Sequence, residues 1–243
     1  MTRDLIDYST KYLGPFEEIQ VLYRRKKVLE IIQLYQPKTI LEVGCGKDSL
    51  VNYIDPVSFK KFYIIEPIAD FLNSAVSVNY PNVIRLNNLI ENIDNIEESF
   101  DLIIVSSLLH EVIDPLLILK EINRFSDSNT IIHINVPNAL SFHRLLAMEA
   151  GLIDSVYDYS GTQLLLQQHH TFDLEILSKL TESAGFQIID KGSYFVKPFT
   201  HSQMQKLVDD KIVDSKVLDG FYHMIKYLPE YGSEIFINVK KLQ

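Results

Sequence analysis

Residues Ile40-Leu41-Glu42-Val43-Gly44-Cys45-Gly46 decide the fold. A short β-branched and apolar run, Thr39 to Val43, passes straight into a turn with two glycines, as a buried parallel strand entering a tight turn does. A helical segment is expected after the turn. Glycines without a Cβ let the backbone approach another group closely, and the open amides of such a turn can receive a polar ligand.

Working outward, Ile19, Leu22, Tyr23, Val28, Ile31, Ile32 and Leu34 recur at roughly helical period and predict a long amphipathic helix ending before Pro37. Further strand-like runs lie at Phe62 to Ile65, Val83 to Leu86, Leu102 to Val105, Ile131 to Val136, Phe186 to Ile189 and Ile235 to Val239, which makes seven strands in all. Helical patterns separate most of them. One follows Pro67, one spans Pro115 to Phe125 with Pro in its first turn, and one spans Leu174 to Ala184, capped by Asp173 and stopped by Gly185. Such alternation implies an α/β fold with a mostly parallel sheet and helices on both faces.

Two stretches exceed what simple connections need. Ala139 to His170 and Pro198 to Tyr231 both read as helical and are expected to build a lid and wall at the strand ends, where α/β enzymes place substrate selectivity. Helices that merely cover the sheet are the alternative for the second. No repeat or linker divides the chain, so 1–243 is read as one domain with a helical cap at 1–37 and insertions at 139–170 and 198–231.

The 243 residues, 47% hydrophobic, can bury one sizeable core. The start, Met1 followed by Thr2, Arg3 and Asp4, lacks the charged-then-apolar pattern of a secretion signal. The apolar stretch Phe100 to Leu109 carries Asp101, Ser106 and Ser107 and falls short of the roughly 20 residues of a spanning helix, so no membrane partner is expected. The single cysteine, Cys45, allows neither an internal disulfide nor a thiolate cluster for zinc, and a reducing cytoplasm is the expected location. A net charge of -9 argues against nucleic acid as partner, because that affinity comes largely from Lys and Arg on phosphates. The basic run Arg24 to Lys27 fits a solvated helix face. A small-molecule partner is expected, and no oligomeric state follows from the sequence.

Glu66 closes the second strand, roughly 20 residues past the glycine turn, where a carboxylate can accept hydrogen bonds from both hydroxyls of a ribose. An adenosine-type ligand follows. A dinucleotide loop would carry a third glycine where this chain has Ser49, and Glu42 would repel a pyrophosphate but suits a cationic amino-acid group.

With those residues in place, Leu41-Glu42-Val43-Gly44-Cys45-Gly46 resembles the first motif of class I S-adenosylmethionine-dependent methyltransferases, and Glu66 matches that family's ribose-binding acid. The likeness continues through Phe100 to Val105, Leu108-Leu109-His110-Glu111-Val112-Ile113-Asp114-Pro115, Val136-Pro137-Asn138, His170-Thr171-Phe172 and Ala184-Gly185-Phe186. It implies a Rossmann-like seven-stranded sheet whose last strand is antiparallel. It also implies S-adenosyl-L-methionine as cofactor and S-adenosyl-L-homocysteine as product. Around the cofactor the resemblance places Glu42, Gly44, Cys45 and Gly46 from the first loop, Glu66 and Pro67 from the second strand end, and Ser106 from the fourth. Asn87, Asn88 and Leu89 should flank the adenine. Asn stands there in place of the more usual acid, and Lys47 is a second departure, beside the acidic pocket.

The implied reaction moves a methyl group to an oxygen or nitrogen of a small polar metabolite, such as a sugar, a nucleotide-linked sugar or an amino alcohol. An inactive cofactor-binding scaffold and an NAD-dependent oxidoreductase are the rival readings. His110, just past the fourth strand, is the first candidate base and His170 the second. His133, inside a strand, reads as a hydrogen-bonded core residue. Glu42 has two readings, cofactor contact or anchor for the loop amides. His110, Glu111 and Asp114 offer metal ligands by helical spacing, but no further ligand joins them and no metal is assigned. The aromatic supply, Tyr12, Phe16, Tyr157, Tyr159, Tyr194 and Phe195, fits packing before a cation cage.

Overall fold

The computed structural model describes residues 14–78, 80–94 and 96–242. The chain start, the first part of the 1–37 cap and Tyr12 therefore lie outside the described residues. Helix α1 is Glu17–Tyr35, followed by β1 (Thr39–Val43), β2 (Lys61–Ile65), α2 (Ala69–Ser74), β3 (Val83–Leu86) and β4 (Leu102–Ser106). Then come α3 (Pro115–Arg124), β5 (Ile131–Pro137), α4 (Phe142–Glu149), α5 (Gly161–Leu165) and α6 (Leu174–Ser183). The chain closes with β6 (Phe186–Tyr194), α7 (His201–Asp209), α8 (Ser215–His223) and β7 (Glu234–Lys241). The strands form one sheet in the order β3-β2-β1-β4-β5-β7-β6. Strand β7 lies antiparallel between β5 and β6, and the other pairings are parallel. The expected Rossmann-like architecture is thus observed.

Strand alternation sorts the side chains into two layers. Leu41, Val43, Ile103, Val105, Ile132 and Ile237 face α3 and α6. Ile40, Phe62, Ile64, Leu102 and Ile104 face Val28 and Ile31 of α1 and Leu72 of α2. A third cluster joins Tyr23 of α1 to Tyr194, Phe195 and Phe236 and to Met204, Leu218 and Tyr222 of α7 and α8. The stretch 198–231 therefore covers the β6-β7 end of the sheet. Phe16, Tyr194 and Phe195 are packing residues within that cluster.

Local chemistry accounts for the helix ends. Gln36 takes the left-handed conformation that ends α1 before Pro37, Asp114 accepts from Leu117 N at 3.0 Å to open α3, and Asp173 accepts from Ile176 N at 2.7 Å to open α6. Three expectations need correction. No α-helix follows the glycine turn; a 3-10 turn, Leu50–Tyr53, stands there, because Asp55-Pro56 disfavours helical continuation. Leu22 and Leu34 are 54% and 66% exposed, since the buried line of α1 runs through Gln20, Tyr23, Val28 and Ile31. Strand β6 runs five residues past Ile189 to Tyr194: it is an edge strand with a bulge at Ile188/Asp190, and exposure there masks the apolar pattern.

On the α1 side, β5 and β7 place a polar row in the core. His133 Nδ1 meets Asn238 Oδ1 at 2.7 Å and its Nε2 meets Asn135 Nδ2 at 3.1 Å, so His133 is a hydrogen-bonded core residue. An amide nitrogen can only donate, so Nε2 must accept, and a second ring proton has no place. Burial pushes the imidazole down to about 4 from its ordinary 6.5. The native state thus refuses a proton that the unfolded chain takes: the stability is complete above pH 6.5 and is lost as pH falls towards 4. His133 alone should account for about 3 kcal/mol of acid destabilisation. Urea unfolding at stepped pH should show a shallower acid limb for His133→Gln than for the unsubstituted protein; parallel limbs would contradict the neutral imidazole.

Candidate functional site

The site begins where β1 and β2 end. Gly44 has φ +76°, a backbone sign that favours glycine, and a Cβ there would lie in ordinary contact with the Leu108 side chain at 3.4 Å. Its amide donates to Ile65 O at 2.8 Å, which locks the turn to β2. Gly46 has φ +60°, and a Cβ there would meet nothing within 4 Å, so the second glycine borders open space. Glu66 turns towards it. One carboxylate oxygen accepts from Gly46 N and the other from Ile68 N, each at 3.0 Å. A buried carboxylate, a glycine amide and an open margin therefore converge, which fits the ribose and amino-acid portions of an adenosyl cofactor.

Glu42 is buried and engaged. It accepts from Ser49 Oγ at 2.5 Å and from Leu50 N at 3.2 Å, and burial raises its carboxyl to about 7. This geometry is that of an anchor for the loop. Outside the loop, Arg25 of α1 bonds Asp48 at 2.7 Å and stacks 3.8 Å over the ring of Tyr53. Lys47 lies 5.0 Å over Phe71, so its charge is directed to α2. Burial, with Glu42 and Glu66 nearby, pushes the Cys45 thiol up, which keeps it protonated and unreactive.

The ends of β3 and β4 lie beyond it. Asn87 Nδ2 donates to Glu66 O at 2.9 Å and to Pro67 O at 3.0 Å, bracing the end of β2. Asn88 Oδ1 accepts from Leu89 N at 2.9 Å, and Leu89 is 38% exposed. Asn87 and Asn88 line a cleft of about 400 Å³ together with Tyr63, Leu86 and Ile93. Ser106 Oγ donates to Asn135 Oδ1 at 3.1 Å, and Ser107, at φ +57°, donates its amide to the same oxygen at 3.1 Å. Asn135 thus holds the left-handed turn after β4. Sequence reasoning missed Asn135 and Ser49; an amide in the middle of Ile134-Asn135-Val136 and a hydroxyl in place of a third glycine were the available signals.

His110 follows that turn and is 3% exposed, with its Nε2 3.8 Å from Glu111 Oε1. Its carbonyl accepts from His169 N at 2.8 Å and His170 N at 3.2 Å, while His170 Nε2 bonds Ile113 O at 3.1 Å. The two candidate histidines are therefore brought to one junction, where 139–170 rejoins the body. The stretch 139–170 is stitched internally by Arg144, which donates to Val156 O at 2.8 Å, and by Tyr159, which donates to His169 O at 2.5 Å, and it is fastened to the body by Tyr157, which donates to Asp173 at 2.5 Å. No residue of α4 is buried. Among the described residues, no group of three or more His, Cys, Asp or Glu is placed to hold a metal; Asp114 caps α3 instead. Nor is any described helix long and apolar enough to cross a membrane.

Residues 17–191 match a family model described as a methyltransferase domain. No curated protein sequence matches the chain. Among solved structures, an S-adenosylmethionine-dependent methyltransferase from Mesorhizobium loti is similar with a TM-score of 0.60 at 12% identity, over 87% of this chain and 96% of that one. The plantazolicin methyltransferase BamL, solved with a triazolic desmethylPZN analogue and S-adenosylhomocysteine, gives 0.61 at 14% identity, over 94% and 88%. The N-methyltransferase NodS of Bradyrhizobium japonicum gives 0.54 at 10% identity, over 91% and 96%. At these identities the likeness is one of fold.

Proposed function

Because the chain belongs to the methyltransferase-domain family, within the class I S-adenosylmethionine-dependent enzymes, we propose that it methylates an oxygen or nitrogen of a small polar metabolite. Sugars, nucleotide-linked sugars and amino alcohols are the acceptor classes in view. The observation that carries this proposal is the Glu66 carboxylate meeting the Gly46 amide at 3.0 Å beside open space. When bound, S-adenosylmethionine supplies a sulfonium-activated methyl carbon open to in-line displacement.

We assign Glu66 to the ribose and Gly44, Cys45 and Gly46 to close backbone approach, with Glu42 holding the loop from beneath. Pro67, Asn87, Asn88, Leu89 and Ser106 frame the adenine side. His110 is the proposed base: a hydroxyl acceptor must lose a proton as it reacts, and a positioned imidazole is worth about 100-fold to 10,000-fold. We give His170 a tethering role, because its Nε2 is held by Ile113 O. Alignment of acceptor and methyl by the lid accounts for the larger share, roughly 7 to 11 kcal/mol in favourable cases.

Incubation of the purified protein with S-adenosylmethionine and a metabolite extract should yield a product heavier by one methyl group. His110→Ala should abolish that product yet bind S-adenosylhomocysteine as before. Cofactor binding with no methylated product from any polar extract would instead identify an inactive scaffold.

A further inference from the structure

The polar row across the sheet has a direction. His133 and Asn135 of β5 are fully buried on one face, where β7 supplies buried Asn238 and β6 supplies Asp190, exposed at its bulge. Ser107 N and Ser106 Oγ both donate to Asn135 Oδ1 at 3.1 Å, and Asn135 Nδ2 donates to His133 Nε2, also at 3.1 Å. His133 Nδ1 then donates to Asn238 Oδ1 at 2.7 Å, and Asn238 Nδ2 donates to Asp190 Oδ2 at 3.2 Å. Every bond runs the same way, from the end of β4 to a carboxylate. Reversal would set an NH₂ group against the Ser107 N–H at one end and an amide oxygen against Asp190 at the other, so the sense of the Asn135 amide is fixed from both sides.

The row ends on a residue that carries strain. Ser107 holds φ +57° although it has a Cβ. Its N–H also reaches the backbone oxygen of Asn135 at 2.9 Å, as neighbouring strands pair, and the Asn135 side chain adds the second bond to the same N–H. Strain of this kind persists where the surroundings over-determine it, and it gathers at functional sites. The turn it makes is a junction. Leu108 packs where a Cβ on Gly44 would stand, and the His110 carbonyl receives His169 N at 2.8 Å and His170 N at 3.2 Å, at the root of 139–170. The glycine turn, the proposed base and the insertion thus all lean on the segment that follows Ser107.

We propose that Asn135 is a positioning residue for methyl transfer, its amide held in one sense by His133, Asn238 and Asp190. The role rests on the methyltransferase assignment above. Asn135 touches neither cofactor nor acceptor in this role: it sets the left-handed turn, and the turn sets where His110 stands relative to the glycine loop. Packing alone would ask for something else, because an apolar side chain fills the same space without polar groups to satisfy. A displacement of reacting groups by about 1 Å can cost about a hundredfold in rate.

Two variants of equal size separate positioning from packing. Asn135→Asp keeps an oxygen for Ser106 and Ser107 but buries a charge; Asn135→Leu keeps the volume and loses the acceptor. Initial rates of methylated product are measured with saturating S-adenosylmethionine and one metabolite extract, alongside calorimetry with S-adenosylhomocysteine, melting temperature and the backbone NMR shifts of Ser107, which report its left-handed φ. Asn135→Leu should lose about thirtyfold or more in rate, together with the left-handed signature. Asn135→Asp should melt at the lower temperature of the two, yet keep the signature and a rate within about fivefold of the parent. Affinity for S-adenosylhomocysteine should fall no more than about fivefold in either, because Glu66 and Gly46 are untouched. Should either variant be unfolded, His133→Gln and His133→Leu repeat the comparison: Gln leaves an oxygen for Asn135 Nδ2 and Leu leaves none, so Gln should be the faster by about fivefold. An active parent whose Leu variant equals or outpaces its more polar counterpart, or keeps the Ser107 signature, defeats the positioning role alone. A parent that binds no S-adenosylhomocysteine and methylates nothing defeats the methyltransferase assignment, and this role with it.

Discussion

Glu66→Gln is expected to weaken S-adenosylhomocysteine binding by about a hundredfold or more. The carboxylate accepts from Gly46 N and Ile68 N, each at 3.0 Å, and a carboxylate has about four acceptor sites, which lets it receive ribose hydroxyls as well as loop amides. Hydrogen bonds to a charged group contribute about 1.5 to 3 kcal/mol each and neutral ones about 1, so losing one and neutralising the other weakens binding by roughly 2.5 to 4.5 kcal/mol. Glutamine keeps the volume but turns an NH₂ group towards one of two backbone donors, so the loop loses order as well as charge. Calorimetry with S-adenosylhomocysteine, on protein whose melting temperature shows it folded, measures the effect. Affinity within threefold of the parent would remove the ribose contact and the functional proposal with it.

Gly232→Ala is expected to lower stability by about 3 kcal/mol or more, towards the upper end of overpacking effects. Gly232 N donates to Ser193 Oγ at 2.9 Å, and Gly232 O accepts from Asn138 Nδ2 at 2.8 Å. A Cβ at this position would overlap the backbone N and O of Tyr194 and lie 2.7 Å from Ser193 Oγ. The obstacle is backbone in the β6-β7 pair, which cannot rotate away. For a chain of this length the melting temperature should fall by about 6 to 12 °C. Gly220→Ala is the matched control: it lies in α8 with nothing within 4 Å of the added carbon, and alanine there should stabilise by about 0.5 to 1 kcal/mol. Thermal unfolding followed by circular dichroism should show opposite signs; equal behaviour would refute the steric account.

Much of the sheet was legible because local patterns carry it. Thr39–Val43 and Val83–Leu86 were bounded to the residue, since a buried parallel strand is an apolar run ended by a turn. The caps Asp114 and Asp173 were equally local, each side chain bonding an amide three residues on. Edge strand β6 was read short because its outer half needs no apolar side chains when β7 supplies its partners. In the candidate site, the glycine turn and Glu66 are legible from their spacing, and the structure brings Glu66 to the Gly46 amide at 3.0 Å.

Residues close in the chain can reveal one another, because a turn or a strand end has few ways to be built; the glycine loop, its acid and the order of strands and helices come from that short range. Pairing between distant segments has no such signature. Only the packed sheet sets His133 beside Asn238 and turns Asn135 onto Ser106. Each of those contacts depends on strand register and on which face a side chain takes, and both are decided by the burial of the whole sheet rather than by any one stretch of it.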